Sequence, residues 1–488
     1  VTYDAADDLR KSYDVCIAAL REEFLKLRET GMTPEYKAFL AKKAPSVNAT
    51  GLDDPPDMHA MMKPHQRDAT EFCLRQGRAG LFLDTGLGKT FCELEFAKYA
   101  AQSTNGMALI LTPLAVAKQI EREAIRFGYD ARVIRDQSEA RSGINICNYD
   151  RLDKLDTDAF GSIVLDESSI LKSFTGKTTR ALINAFQGHR FRLAATATPA
   201  PNDHMELGNH SDFLSIMPQA EMLARWFVND TQEASQQWRL KGHAIEPFWD
   251  WMASWSRMAE TPADMGYDAS EYILPKMTIH KHKVAGDVPI HKDSLFALDV
   301  SATSMFDVKR QTTGARADCI AEKVDALEPW VIWCDTDHEA DALKARIKDA
   351  IEVRGSMKIE AKEEALNAFA TGHARVIITK PSIAGYGVNW QHCANVAFVG
   401  RTFSYEAWYQ AVRRCWRFGQ KSPVQVHLAV AEGEDQIGRV IDRKSADHAM
   451  MKRAMADAMR RAGDHTKKTK LAYEPNHKGR LPTWLSVA

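Results

Sequence analysis

The sequence has no uninterrupted apolar run of the roughly 18 residues that a membrane-crossing helix needs, so no span and no membrane partner are expected. Its eight cysteines include no CxxC pair, which argues against a zinc site or a disulfide framework. An excess of one charge is also missing: 64 Lys and Arg stand against 65 Asp and Glu, a formal net charge of −1. That balance excludes binding to a polyanion by bulk charge alone, though not by a local basic groove. The opening VTYDAADDLRKSYD is acidic and polar and lacks the apolar centre of a secretion signal. The expectation is a reduced, cytoplasmic protein without zinc. What is present is a globular composition, 45% apolar and 26% charged. At 488 residues there is room for two or three domains.

Residues 4–30 set Leu9, Tyr13, Cys16, Leu20, Phe24 and Leu27 at helical spacing up to Gly31, a helix that packs one face and carries no chemistry. A polar connector, APSVNATGLDDPP, completes an N-terminal region, 1–60. Over 61–217, short β-type runs (AGLFLD, MALILTP, INICNY, SIVLDE, FRLAATATP) alternate with helical stretches, the rhythm of a parallel α/β sheet. Residues 218–275 are helical in pattern and carry Trp226, Trp238, Trp249, Trp251 and Trp255. Aromatics can stack on unpaired bases, but tryptophans at helical spacing more often build a small core. The α/β rhythm returns over 276–435 with PWVIWCD, IEVRGS, ARVIITK, NVAFVG and VQVHLAV. The tail, 436–488, is basic: from Arg439 to Arg480, twelve Lys and Arg face five Asp and Glu. A solvated helix and a phosphate-tracking surface both remain open for it. The fold class is α/β, two parallel-sheet lobes with a helical insertion and helical flanks.

The stretch LFLDTGLGKTFCELEF, 81–96, runs from a strand through two glycines into a helix. Such a turn presents free backbone N–H groups and the positive end of a helix dipole to phosphate oxygens. Thr85, Gly86, Leu87 and Gly88 form the loop, Lys89 reaches β- and γ-phosphates, and Thr90 ligates Mg²⁺. The pattern lacks its usual first glycine, replaced by Leu83, and a lone GKT is of moderate specificity. A second element supports it: SIVLDESS ends a strand on Asp166, which can hold Mg²⁺, and Glu167, which can deprotonate the attacking water. Gln66, upstream in MKPHQRDATEF, has an amide able to read both edges of adenine and so favours ATP. In YQAVRRCWRFGQ, Arg414 and Arg417 stand three apart on an expected helix, hence on one face, where a pair can neutralise charge on the γ-phosphate. An arginine-rich surface helix is the plainer alternative.

The order of these pieces resembles superfamily-two helicases, and within them the Swi/Snf-type ATPases, over residues 61–435. KPHQ, DTGLGKT, LILTPLAVAKQIEREAIRF, INICNYDRL, VLDESSILKS and LAATATPAPN are similar to that family's first-half motifs in order. VRGSM, SIAGYGVN and QAVRRCWRFGQ are similar to its second-half motifs. The segment SWSRMAETPADMGYDASEYILPKMTIHKHKV resembles a form associated with small helicases of phages and mobile elements.

The resemblance implies two RecA-like lobes, ATP with Mg²⁺, and a DNA track, duplex favoured and single-stranded possible. It assigns Gly387 to the nucleotide, and Thr196 and Thr198 to coupling between hydrolysis and movement. Backbone contacts to DNA fall to Thr112 and Pro113 on the first lobe and to Ser356, Thr379 and Lys380 on the second. Ser168 and Ser169, Trp416 and Ala197 depart from the family pattern at positions concerned with coupling. The expected function is an ATP-driven translocase on duplex DNA without sequence specificity. A strand-separating replication helicase and a non-hydrolysing ATP-switched clamp are the alternatives.

Overall fold

The computed structural model describes residues 47–113, 116–172, 176–230, 237–284, 302–385, 388–431 and 435–464. The expected helix at 4–30, the tail beyond 464 and Gly387 lie outside the described residues.

The first lobe opens with α1 (Pro64–Gln76), whose proline sits in the first turn, where its missing N–H costs nothing. It continues through β1 (Arg78–Leu83), α2 (Lys89–Gln102), β2 (Met107–Thr112), α3 (Ala117–Arg126), β3 (Ala131–Val133) and β4 (Gly143–Asn148). Then come β5 (Ser162–Asp166), α4 (Lys177–Phe186), β6 (Phe191–Ala195) and α5 (Leu207–Phe213). The strands are nearly continuous apolar runs because helices cover the sheet: β6 is buried throughout, and β1, β2 and β5 are buried except at one terminal residue each. All pairs in the seven-stranded sheet, ordered β3-β4-β2-β5-β6-β1-β9, are parallel. Parallelism brings the turns after β1, β5 and β6 to a single edge of the sheet, where ligands of such folds collect.

The segment expected to be helical, 218–275, is mixed. It contains α6 (Gln219–Trp226), an antiparallel hairpin of β7 (Phe227–Asp230) and β8 (Gln237–Leu240), and α7 (Ile245–Trp255). It then supplies β9 (Ser256–Ala259), which pairs with β1 and completes the first sheet. Four residues, SRMA, are too few for a period to register; the strand is fixed by its neighbour. Gly80 of β1 has no side chain to hold it off, and a Cβ there would stand 3.0 Å from Ser256 Cβ. Trp226, Trp249, Trp251 and Trp255 are buried in the first lobe's core, with Trp238 packed against it. They are core residues.

The second lobe is formed by β10 (Met277–Val284), α8 (Ala302–Ala321), β11 (Trp330–Trp333), α9 (Asp337–Arg346), β12 (Ile351–Val353), α10 (Ile359–Ala370), β13 (Val376–Thr379), α11 (Pro381–Ala384), β14 (Asn395–Phe398), α12 (Tyr405–Val412) and β15 (Val424–Ala431). Its six strands, ordered β10-β15-β14-β11-β13-β12, are again all parallel. Both lobes are therefore the parallel α/β units expected. The last helix, α13 (Asp435–Asp464), starts on the second lobe, where Ile437 and Ile441 meet Tyr405. It ends on the first, where Met451, Met455 and Met459 join the core that holds Trp251 and Trp255. Buried methionines contribute about 1.5–3 kcal/mol each, so α13 is fastened to both lobes.

Candidate active site

The chain leaves β1 at Leu83 and turns through Asp84–Gly88 into α2. Gly86 and Gly88 have φ of 92° and 85°, the left-handed region that glycine adopts without strain. Space demands glycine too. A Cβ on Gly88 would sit 2.2 Å from Gln66 Nε2, and one on Gly86 2.8 Å from Phe418 Cβ of the second lobe. Gly88 precedes α2 without a capping side chain, so the N–H groups of Lys89 and Thr90, in the first turn of the helix, have no intrahelical acceptor.

Gln66 lies directly against this loop. Its Nε2 donates to the Leu87 carbonyl at 3.0 Å and its Oε1 accepts from Lys63 N at 2.9 Å, so its amide shapes the loop from within the lobe. Thr85 N donates to Asp84 Oδ1 at 2.6 Å. Lys89 Nζ donates to the Leu83 carbonyl at 3.0 Å. Burial lowers the Lys89 pKa, against the pull of Glu167, Asp84, Glu93 and Asp166.

At the end of β5, Asp166 Oδ2 accepts from the Thr112 hydroxyl at 2.7 Å, and its carbonyl accepts from Tyr149 at 2.8 Å. Glu167 follows with φ of 56°, a strained setting for a residue with a side chain. Its Oε1 accepts from Thr196 Oγ1 at 2.6 Å, from Ser169 Oγ at 3.1 Å and, across the cleft, from Gln410 Nε2 at 3.5 Å. Thr198 N in turn donates to Thr196 Oγ1 at 3.1 Å. The departure at 168–169 thus has a structural answer: Ser169 and Thr196 both touch Glu167 directly, while Ser168 pairs with His210 at 3.1 Å.

The residues fit a magnesium nucleotide. Burial raises the pKa values of Asp166, Glu167 and Glu93. Glu93, fully buried one helical turn past Lys89, has two carboxylate oxygens without a hydrogen-bond partner among the described residues. Such a concentration of acid calls for added cation. No group of three or more acidic, His or Cys side chains among the described residues forms a metal cage. Thr90 and Asp166 are the residues that would hold a magnesium ion beside phosphate oxygens, and Mg²⁺ commonly binds through so few protein ligands.

The second-lobe arginines differ from expectation. Helix α12 stops at Val412, and Arg414 and Arg417 lie in the turn beyond it, where short bonds such as Arg414 N to Ala411 O replace the α-helical ladder. They still share a partner, the Val388 carbonyl, at 3.2 Å and 3.4 Å. Arg414 Nη2 also donates to Gln410 Oε1 at 2.7 Å, which places it one side chain from Glu167. Burial, reinforced by Arg414 and Arg413, pushes the Arg417 pKa down to about 9, with Glu123 of α3 opposing. Its Nε is buried without an acceptor among the described residues, an arrangement suited to a bound anion.

Sequence reasoning missed residues of the second lobe that cross to the loop. Arg413 Nη2 lies 3.0 Å from Asp84 Oδ2 and donates to the Thr85 carbonyl at 3.3 Å. Tyr409 and Lys452 also bind Asp84. Lys172 forms an ion pair with Glu406 between the lobes. Spacing gave no signal for these, because each pair joins distant segments.

The five residues assigned to a nucleic-acid backbone differ in exposure. Thr112 is fully buried against Asp166, and Thr379 is 1% exposed with its hydroxyl on the Val353 carbonyl. Each is the last residue of an interior strand, with its hydroxyl turned into the lobe. Lys380 pairs with Asp337 at 2.9 Å, Pro113 is half-buried, and Ser356 is exposed.

Comparison with known proteins follows the same division. Residues 59–201 match the family described as type III restriction enzyme, res subunit, and residues 318–419 match the helicase conserved C-terminal domain. "Putative protein p41" of Acyrthosiphon pisum secondary endosymbiont phage 1 is 23% identical over 476 residues, 82% of this chain and 98% of that protein. The "SWI/SNF-related matrix-associated actin-dependent regulator of chromatin subfamily A-like protein 1" of Xenopus tropicalis is 28% identical over 179 residues, 34% of this chain but 19% of that protein. The solved "Sulfolobus solfataricus SWI2/SNF2 ATPase core in complex with dsDNA" is 16% identical, covers 84% of this chain and 97% of its own, and has a TM-score of 0.39.

Proposed function

Because the chain belongs to the superfamily-two helicases, in their Swi/Snf-type branch, and is an ATP-hydrolysing enzyme that acts on nucleic acid, we propose that it moves along duplex DNA without sequence specificity. The observation that carries this reading is the divided hydrolytic centre. Glu167 takes one hydrogen bond from Thr196 of its own lobe and one from Gln410 of the opposite lobe.

In this reading the loop N–H groups and Lys89 bind the phosphates, and Thr90 and Asp166 hold Mg²⁺. The metal, when bound, neutralises phosphate charge and orients the leaving group. Glu167, aligned by Thr196, positions the attacking water and accepts its proton. Arg414 and Arg417 present guanidiniums to the γ-phosphate from the second lobe. ATP is enclosed only when both lobes contribute, so binding favours closure and hydrolysis releases it. If each lobe grips the phosphate backbone, alternate closing and opening moves the protein along its track. Ser356, Lys380 and the strand-end backbone near Pro113 are the proposed grips, and phosphate contacts carry no base sequence. The near full-length phage relative supports a phage-borne motor.

The test compares ATPase rates without nucleic acid and with single-stranded DNA, duplex DNA and RNA, alongside triplex displacement and forked-duplex unwinding. Strongest stimulation by duplex and displacement of the third strand are expected. Unwinding without triplex displacement would make the chain a strand-separating helicase, and no turnover with any track would make it a clamp.

A further inference from the structure

Asp84 opens the phosphate loop and is completely buried. Its carboxylate accepts from Thr85 N at 2.6 Å and from the Tyr409 hydroxyl, and forms ion pairs with Arg413 Nη2 and Lys452 Nζ, each at 3.0 Å from Oδ2. Burial alone would raise its pKa; Arg413 and Lys452 reverse that and hold it well below the usual carboxylate range. Asp84 is therefore a fixed negative charge at the mouth of a loop suited to polyphosphate, felt also by Lys89. Unpaired, such a charge opposes phosphate binding and is costly to bury. Its three side-chain partners do not travel together. Tyr409 and Arg413 belong to the second lobe. Lys452 sits on the half of α13 fastened to the first lobe by Met451, Met455 and the Arg461–Asp250 pair. When the lobes separate, Lys452 alone among the three can remain.

We propose that Lys452, outside both matched helicase segments, is a positioning residue for the phosphate loop: it cancels the Asp84 charge so that the loop can receive the phosphates of ATP. The assignment rests on the ATPase reading above. Around the pair, Glu260 lies 3.6 Å from Lys452, and His448 packs against the Tyr405 and Tyr409 rings, walling the cluster off.

The experiment measures equilibrium binding of a fluorescent trinitrophenyl-ATP with Mg²⁺, and duplex-stimulated turnover, in the full chain and three variants. K452M, which keeps length and loses charge, is expected to weaken binding about tenfold, raising KM more than it lowers kcat. K452R, which keeps the charge, is expected to stay near wild type. D84N/K452M, which removes the charge to be cancelled, is expected to regain most of the lost affinity. A structural strut would show no such recovery. Unchanged binding in K452M, or a double variant as weak as K452M, overturns the assignment. Should K452M fail to fold, a folded, binding-competent double variant supports the proposal and a misfolded one overturns it. A wild-type chain that binds no nucleotide would overturn the ATPase reading itself, a result distinct from either.

Discussion

The Thr196 hydroxyl donates a hydrogen bond to the Glu167 carboxylate at 2.6 Å. Burial raises the Glu167 pKa, and this bond works in the opposite direction. Thr196→Val removes the donor, so the carboxyl takes a proton at higher pH and loses its capacity as a base. The acid limb of the kcat profile is expected to move to higher pH, with turnover down about 10²-fold and ATP affinity kept. An unshifted profile would mean that Thr196 has no part in setting the base.

Arg414 reaches Glu167 through Gln410, and its role is testable by separating binding from chemistry. Arg414→Ala is expected to lower kcat by about 10³-fold or more while nucleotide affinity stays within a few-fold of wild type. Normal turnover in this variant would remove the guanidinium pair from the mechanism.

The parts legible in the sequence were those with local order. GLGKT, DE and TAT each lie within a few residues, and each sits at the end of a strand whose apolar run marks it. Parallel packing then collects them at one edge. The Asp84 cluster was not legible, because Tyr409 and Lys452 are 325 and 368 residues away from Asp84 and no period relates them. The direction of the Thr112 and Thr379 hydroxyls was not legible for another reason: whether a strand-end hydroxyl faces out or in depends on its neighbour, Asp166 or Val353, and not on the motif containing it.

The interlobe pair Lys172–Glu406 bears on closure. The Lys172 side chain is 41% exposed and that of Glu406 3%, so solvent screens the attraction to about 0.5–1 kcal/mol. Lys172→Ala is expected to shift the lobes modestly toward separation and to raise KM for ATP about two- to fivefold. Fluorescence energy transfer between labels on the two lobes would register the shift, and an unchanged efficiency would make the contact incidental.

Trp255 is fully buried beside Phe82 and Trp251. Trp255→Ala is expected to destabilise the first lobe by about 3–5 kcal/mol, read as an earlier denaturation midpoint. DNA affinity of the folded fraction should not change. A variant of normal stability that lost single-stranded DNA binding would instead make the cluster a stacking platform.

Over its described part, the basic tail carries a definite expectation about salt. Lys444, Lys452 and Arg461 turn inward to Asn202, Asp84 and Asp250. On the exposed face, Arg439, Arg443, Arg453 and Arg460 alternate with Asp442, Asp447 and Asp457, so the two signs nearly cancel. Counterion release changes the slope of log affinity against log salt by about 0.9 per phosphate contacted. The double variant R443Q/R453Q should therefore leave the slope for duplex DNA unchanged, whereas a phosphate-tracking helix would lose about two units. Point substitutions are the sharper tool here, because truncation near residue 440 would also strip Met451 and Met455 from the first lobe's core and mix a folding defect with any loss of charge.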